Sequence, residues 1–348
     1  MSLTPAARPL LWPLVPVYRL GLALREFELR SGLKKVQRLK WPVVSIGNLS
    51  AGGAGKTPLT IALARALTAR GLHVDVLSRG YGRRSTLSLR VDPNGAAKDF
   101  GDEPLVIARE AGVPVYVAAK RYEGGLLAES EGAREQGSEG AGALRETETR
   151  IGVHLLDDGF QHRQLARDLD ILLLSARDLS DHLLPAGNLR EPLRAAARAQ
   201  VIAIPAHEAD VETELRSRGW RGTVWRIRRL MEVPPLDGTV AAFCGIARPE
   251  QFFEGLERAG LRLAARTAFP DHHRYNASDL ARLTEAGRTT GVTAFITTEK
   301  DRVRLGALAA GLPASLPLMA AELRIEVEDE DARISQLIDR LSDATLRL

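Results

Sequence analysis

A mostly parallel α/β fold with a second, smaller α/β unit is predicted by three observations. Apolar runs rich in β-branched residues recur at Val43–Ile46, Val74–Leu77, Val113–Val117, Val153–Leu156, Ile171–Leu174 and Val201–Ile204. Helical patterns such as Pro58–Arg70 and Glu103–Glu110 fall between several of them. Near-continuous apolar runs separated by helices indicate a parallel sheet covered on both faces. A glycine-rich turn follows the first run and opens into a helix. A fresh strand–helix rhythm then starts near Thr239. With 348 residues the chain is long enough for two compact domains, and at 5% aromatic its cores must be mainly aliphatic.

Residues 1–40 form a distinct basic segment, with Arg8, Arg19, Arg25, Arg30, Lys34, Lys35, Arg38 and Lys40 against Glu26 and Glu28. From Pro16 the pattern is helical: Val17, Leu20, Leu24 and Phe27 share one face, and Arg19, Glu26 and Arg30 lie on another. Two readings stand, a helix docked on the body of the protein and a basic amphipathic helix lying on a membrane surface. The most apolar early run, Leu10 to Tyr18, is interrupted by Pro13 and Pro16 and is about half the length needed to span a bilayer. The charged segment after it has no clear small-residue site for signal-peptide cleavage.

Residues 41–222 are the principal sheet domain. Inside it, Glu129–Arg150 is rich in Glu, Gly, Ser, Ala and Arg and reads as a disordered insertion without chemistry. Residues 223–235 hold a linker strand, Thr223–Arg228. The smaller α/β unit occupies 236–318. Its elements are a strand at Val240–Phe243, a helix at Gln251–Ala259, a strand at Leu263–Ala268, a loop at Phe269–Tyr275, a helix at Ala277–Ala286 and a strand at Ala294–Thr297. Residues 319–348 return through Leu323–Val327, which pairs with the first linker strand, and a helix at Ala332–Leu346 that packs on the first domain.

The formal charge of +4 suits nucleic acid, anionic lipid or a phosphorylated substrate. A single cysteine, Cys244, excludes a disulfide framework and a cysteine-based zinc site, and fits a reducing compartment.

The chemistry starts in Val43-Val44-Ser45-Ile46-Gly47-Asn48-Leu49-Ser50-Ala51-Gly52-Gly53-Ala54-Gly55-Lys56-Thr57-Pro58. Glycines let a backbone curl tightly enough to aim several N–H groups at phosphate, and the helix N-terminus adds positive potential. Lys56 would reach the β- and γ-phosphates of ATP and the Thr57 hydroxyl would ligate Mg²⁺. Ser50 stands where the strict pattern G-x-x-x-x-G-K-[ST] has its first glycine, and Gly52 and Gly53 supply the flexibility. The turn is therefore a P-loop, and the fold a P-loop NTPase-type parallel sheet. A glycine turn followed by a chance Lys-Thr is disfavoured by the strand before it and the helix after it.

In His154-Leu155-Leu156-Asp157-Asp158-Gly159-Phe160-Gln161-His162, an apolar strand ends in two acids, the usual complement of a P-loop because Mg²⁺ needs carboxylate oxygens. Adjacent acids point to opposite strand faces, so Asp157 and Asp158 differ in role. An N-cap at Asp158 is the bland alternative. Gly101-Asp102-Glu103-Pro104 reads equally as a helix N-terminus and as the source of a base, Asp102, for an acceptor hydroxyl. Its partner could be His272, in Phe269-Pro270-Asp271-His272-His273-Arg274-Tyr275. Two histidines and one Asp make a weak metal signal. Basic loops Ser78–Arg84, Lys120-Arg121-Tyr122 and Gly187-Asn188-Leu189-Arg190-Glu191-Pro192 fall at or near the same sheet edge, where α/β sites form. Their convergence suggests an anionic substrate besides ATP.

These blocks, in order from about residue 43 to 302, resemble the tetraacyldisaccharide 4′-kinase family, together with Thr298-Glu299-Lys300-Asp301. The resemblance implies a kinase that moves the γ-phosphoryl of ATP to the 4′-hydroxyl of a tetraacylated disaccharide 1-phosphate, giving lipid IVA. It implies two α/β domains joined by a two-stranded linker. It also implies attachment through the N-terminal helix to the cytoplasmic face of the inner membrane of a Gram-negative cell, with a glycolipid substrate and no nucleic-acid partner. A monomer is expected. Carried over residue by residue, Asp102 is the catalytic base and His272 its partner, with His273 adjacent. Gly52, Gly53, Ala54, Gly55, Lys56 and Thr57 hold phosphate. Asp157, Asp158, Gln161 and Glu191 work around nucleotide and metal, with Thr57, Asp157, Asp158 and Glu191 as the Mg²⁺ set. Arg121 and Arg190 stabilise phosphate charge. Ala54 departs from members that carry Ser there. A different class, a P-loop ATPase that uses hydrolysis as a switch on a macromolecular partner, would turn over ATP without a glycolipid. The chain lacks the aromatic–basic interleaving of single-strand binders.

Overall fold

The computed structural model describes residues 5–53, 55–139 and 152–345. A 3₁₀ stretch, Pro5–Leu14, runs into helix α1 (Val15–Arg30), with Pro16 in the first turn where its missing N–H costs nothing. Strand β1 (Val43–Asn48) is buried at every position, the reason its first four residues are apolar but for Ser45. Next come α2 (Lys56–Ala69), β2 (His73–Ser78), the short β3 (Leu89–Arg90), α3 (Ala97–Phe100), α4 (Asp102–Glu110), β4 (Val115–Val117) and α5 (Arg121–Glu139). Then follow β5 (Gly152–Asp157), β6 (Leu169–Leu173), α6 (Ala176–Ser180), β7 (Val201–Pro205), α7 (Ala209–Ser217) and β8 (Thr223–Glu232). The remainder is β9 (Thr239–Cys244), α8 (Pro249–Arg258), β10 (Arg262–Ala268), α9 (Ala277–Thr290), β11 (Ala294–Thr298), α10 (Glu299–Leu305), β12 (Leu318–Val327) and α11 (Glu330–Thr345).

Among the described residues the strands form one sheet in the order β10-β9-β11-β12-β8-β7-β6-β1-β5-β2-β4-β3. Strand β1 lies parallel to both β5 and β6, with Ile46 opposite Asp157 on one side and Ile171 on the other. The turn after β1 and the acids ending β5 therefore leave the sheet side by side. Strands β8 and β12 splice the two units. Residues 223–227 of β8 run parallel to Val201–Pro205 of β7, and from Ile227 to Glu232 β8 pairs antiparallel with β12. Strand β12 starts parallel to β11 at Leu318–Ala321 and only then pairs with β8. Each of the two strands thus pairs with its own unit on one side and with the other connecting strand on the other. Helix α11 returns to the larger unit, where Ile334, Leu337 and Leu341 join a core with Trp225, Ile227 and Val327.

The segment Glu129–Arg150, expected to be a disordered insertion, is helical in its first half, because α5 runs to Glu139. Residues 140–151 lie outside the described residues. The helix is held by small residues at helical spacing. A Cβ on Gly125 would sit 2.2 Å from Leu39, and one on Gly132 would sit 2.6 Å from Trp41. Close approach needs small side chains, which a search for large apolar residues overlooks.

Glu129 also accepts the backbone N–H of Trp41, at 3.0 Å, and faces His154 Nε2 at 3.5 Å. His154 is wholly buried, with Nδ1 2.8 Å from Asp75. Burial alone would lower its pKa, but the charges of Asp75 and Glu129 prevail and push it up to about 9. A raised folded pKa gives stabilisation that is complete below the unfolded value of 6.5 and is lost as pH rises through about 9. The melting temperature should therefore fall over that window, and His154→Gln should flatten the fall. Thermal melts across the window check it, and an unchanged slope in the variant would count against the ion triad.

Candidate active site

The P-loop turn joins β1 to α2. Gly52 and Gly55 have φ of +107° and +92°, values that side-chain-bearing residues rarely adopt. Gly55 is the residue before α2, so the first N–H groups of that helix open toward the turn. Ala54 lies outside the described residues. Lys56 Nζ donates to Asn48 Oδ1 at 3.0 Å and stands 3.5 Å from Asp158 Oδ1, while Thr57 is buried beside it.

The two acids occupy different environments. Asp157 is 1% exposed and receives a long, 3.4 Å hydrogen bond from the Thr60 hydroxyl. Burial, then the charges of Glu103 and Asp158, push its carboxyl up to about 7. Asp158 sits at φ +49° and is half-buried. Arg190 grips both its oxygens, Nη1 donating at 2.9 Å and Nη2 at 2.8 Å. Burial opposes ionisation, but the Arg190 bonds and the Lys56 charge hold this carboxyl well below the usual range.

The Gly187–Pro192 loop is stitched to the P-loop. The Arg190 N–H donates to the Leu49 carbonyl at 2.7 Å, and the Ala51 N–H to the Asn188 carbonyl at 2.7 Å. Tyr18 of α1 donates its hydroxyl to the Arg190 carbonyl at 2.8 Å. Gln161 Nε2 donates to the Asn48 carbonyl at 3.0 Å. Glu191 is buried and receives Arg198 Nη2 at 2.6 Å, so in this structure its carboxylate is committed to an arginine. Arg121, at the start of α5, is 6% exposed, and its Nε has no hydrogen-bond partner among the described residues. Burial brings its pKa down to about 10, against the charges of Asp158 and Asp157. A buried guanidinium with a spare N–H beside the two acids suits an oxyanion.

Asp102 is the first residue of α4, and Gly101 precedes it at φ +92° with its backbone against Gly80. Any Cβ on Gly101 would meet Gly80 atoms at 3.0 Å, so only glycine lets α4 start this close to the Ser78–Arg84 loop. The capping position belongs to Gly101, which frees the Asp102 side chain. Asp102 is buried, and Oδ2 lies 3.3 Å from His272 Nδ1. His273 is turned away, stacked 4.6 Å from Phe269 with Nε2 2.8 Å from Asp279. Although burial raises the Asp102 pKa, a hydrogen bond from the protonated His272 ring and the Arg304 charge hold it well below the usual carboxylate range. His272 is shifted up, first because its protonated ring can donate a hydrogen bond to Asp102.

Sequence reasoning missed Arg304 and the pairing of Lys300 with Glu103. The available signal was spacing: Lys300 and Arg304 are four apart in α10, on one helix face, and Glu103 and Asp102 are adjacent acids. These pairs close the seam between the two units. The charges of Lys300 and Glu103 also reach Asp157, tying the seam electrically to the P-loop acids.

Comparison with known proteins adds the following. The sequence model of the family described as "Tetraacyldisaccharide-1-P 4′-kinase" matches residues 7–342. A protein of Koribacter versatilis named tetraacyldisaccharide 4′-kinase is 40% identical, over 94% of this chain and 97% of its own. One of Parvibaculum lavamentivorans with the same name is 38% identical, over 99% and 94%. Among solved structures, that of an "apo" form of LpxK from Aquifex aeolicus in complex with ATP is similar, with a TM-score of 0.71 and 31% identity, covering 96% of this chain and 99% of that one.

Proposed function

The chain belongs to the tetraacyldisaccharide-1-phosphate 4′-kinase family, and we propose that its phosphoryl transfer uses a site assembled across the seam of its two units. It is an ATP-dependent kinase acting on the 4′-hydroxyl of tetraacyldisaccharide 1-phosphate to give lipid IVA. Phosphoryl transfer asks for positioning and charge more than for covalent chemistry. The P-loop backbone and Lys56 hold the β- and γ-phosphates. Arg121, with its spare N–H, and Arg190 face the charge that spreads over the transferring group. Asp102 takes the proton of the 4′-hydroxyl as the new P–O bond forms, with His272 as its neighbour. The observation that carries this reading is the meeting of Asp102 and His272, from different units, at 3.3 Å.

The residues fit a Mg²⁺ ion. Asp157 is a fully buried carboxyl raised to about 7 and met by a long hydrogen bond, a group that a hard cation would satisfy. Thr57 and Asp157 would hold the ion, with Asp158 beside them. When bound it neutralises phosphate charge. Glu191 would join only by leaving Arg198.

We also propose that α1 lays the enzyme on the cytoplasmic face of the inner membrane, where the acyl chains of the glycolipid reside. No helix among the described residues is long and apolar enough to cross a membrane. Val15 is buried, and Tyr18 and Leu22 pack on the body. The opposite face shows Val17, Leu20, Leu24 and Phe27, all more than half exposed, preceded by Leu10 at 80%. Docking and membrane contact thus use different faces of one helix. Deleting the segment would also remove the Tyr18 bond to the Arg190 loop, so point changes are the cleaner test. Replacing Leu20, Leu24 and Phe27 with serine should lower vesicle partitioning on the order of 10²-fold. The KM for vesicle-presented glycolipid should rise while the KM for ATP holds. Co-sedimentation equal to wild type would contradict the membrane role.

A further inference from the structure

The Asp102–His272 pair is gripped by a third group. Arg304, in α10, has a side chain only 8% exposed. Its Nε donates to Asp102 Oδ2 at 2.7 Å, and Nη2 donates to the same oxygen. Nη1 donates to Asp301 Oδ1 at 2.9 Å and to the Gly245 carbonyl at 2.6 Å. Nη2 also lies 3.1 Å from His272 Nδ1. A planar guanidinium held at so many points has one orientation, which a lysine could not reproduce.

Nδ1 of His272 faces two groups with conflicting needs. Asp102 Oδ2 is an acceptor and requires a proton on Nδ1. Arg304 Nη2 is a donor and requires a bare lone pair there. One nitrogen can satisfy one of them. The shorter contact is to Arg304, and Oδ2 already receives two N–H groups from it. That leaves Oδ1, which accepts the Glu103 backbone N–H at 3.0 Å, as the oxygen with capacity for an incoming proton.

We propose that Arg304 is the positioning residue of this pair: it occupies Oδ2 so that Oδ1 of Asp102 meets the acceptor hydroxyl, and it keeps Nδ1 of His272 unprotonated. The inference rests on reading Asp102 as the base. Arg304 acts through Asp102 and His272 and touches no phosphate in this account.

The pH consequence has a definite sign. The charged groups around the pair are Arg304 and Lys300 from α10, Asp271 beside His272, Glu103 on α4 and Asp301 beneath Arg304. Arg304 lowers the pKa of both Asp102 and His272. Removing its charge raises both, and the active form needs an ionised carboxylate and a neutral imidazole. The acid limb of kcat/KM must then move to higher pH.

The test compares wild type, Arg304→Met, Arg304→Lys and Asp102→Asn in kcat, KM, pH profile and thermal melt, with ¹⁵N histidine spectra of the free enzyme. Arg304→Met should lower kcat about tenfold or more with the KM for ATP within about threefold, and move the acid limb up by about one pH unit. Arg304→Lys should restore the limb, because the charge returns, but not kcat, because the fork does not. In wild type at high pH His272 should carry its proton on Nε2, and in Arg304→Met on Nδ1. A wild-type limb with kcat within about threefold in Arg304→Met overturns the inference. So does a wild-type His272 protonated on Nδ1, a result that needs no variant to fold. If Asp102→Asn keeps its activity, the base reading itself falls and the inference with it. If Asp102→Asn is inactive while Arg304→Met behaves as wild type, only the role of Arg304 falls.

Discussion

Asp102→Ala should lower kcat by about 10²–10⁴-fold and leave the affinity for ATP within about threefold. A sugar hydroxyl is a weak acid, so its proton must leave as the P–O bond forms, and a positioned base acts only in that transition state. Asp102 lies on α4, outside the P-loop, so the phosphate-binding turn should survive its loss. The variant does change folding energetics, because Arg304 would keep its charge while losing one of its two carboxylates. Melting curves therefore belong beside the kinetics. Single-turnover transfer from labelled ATP separates chemistry from product release, and a kcat within about threefold of wild type would remove Asp102 from the role of base.

Lys56→Met should lower kcat/KM for ATP by about 10³-fold, the scale set by removing one preorganised donor from a transition-state anion. The ammonium stands at the mouth of α2, between Asn48 Oδ1 and Asp158. Arg190 has both terminal nitrogens on the Asp158 carboxylate, and Arg121 is anchored at the start of another helix. Unlike Asp102→Ala, this variant should weaken nucleotide binding as well as transfer. Nucleotide titration together with steady-state kinetics measures both, and a loss smaller than about tenfold would show that Lys56 does not hold the phosphates.

The sheet was legible because its strands are buried on both faces. Val43–Ile46 and Val153–Leu156 are apolar but for Ser45 and His154, and such near-continuous runs need no alternation to be read. The P-loop turn and the Asp157-Asp158 pair stood out because phosphate and cation chemistry favours those residue types in that local order, and the pairing of β1 with β5 sets them side by side. What was hidden depends on contacts between distant segments. Helix α5 docks through Gly125 and Gly132, residues that look like disorder in composition but are close packing in space. Which histidine faces Asp102 was undecided in the sequence. It is settled by His273 stacking on Phe269 and pairing with Asp279 near the start of α9, which leaves His272 pointing the other way. Arg304 was hidden for the same reason. Its partner Asp102 is 202 residues away in sequence, and only the packing of α10 on α4 brings them together.

In the proposed mechanism the phosphoryl group held by the P-loop leaves only to a glycolipid hydroxyl positioned at the seam. The most direct measurement incubates the enzyme with γ-labelled ATP, Mg²⁺ and tetraacyldisaccharide 1-phosphate, and follows label in the lipid and free phosphate together. Label is expected at the 4′ position of a doubly phosphorylated lipid, with ATP consumed in step with it and little consumed when the glycolipid is left out. Steady release of free phosphate regardless of glycolipid, with no labelled lipid, would contradict it and identify an ATPase instead.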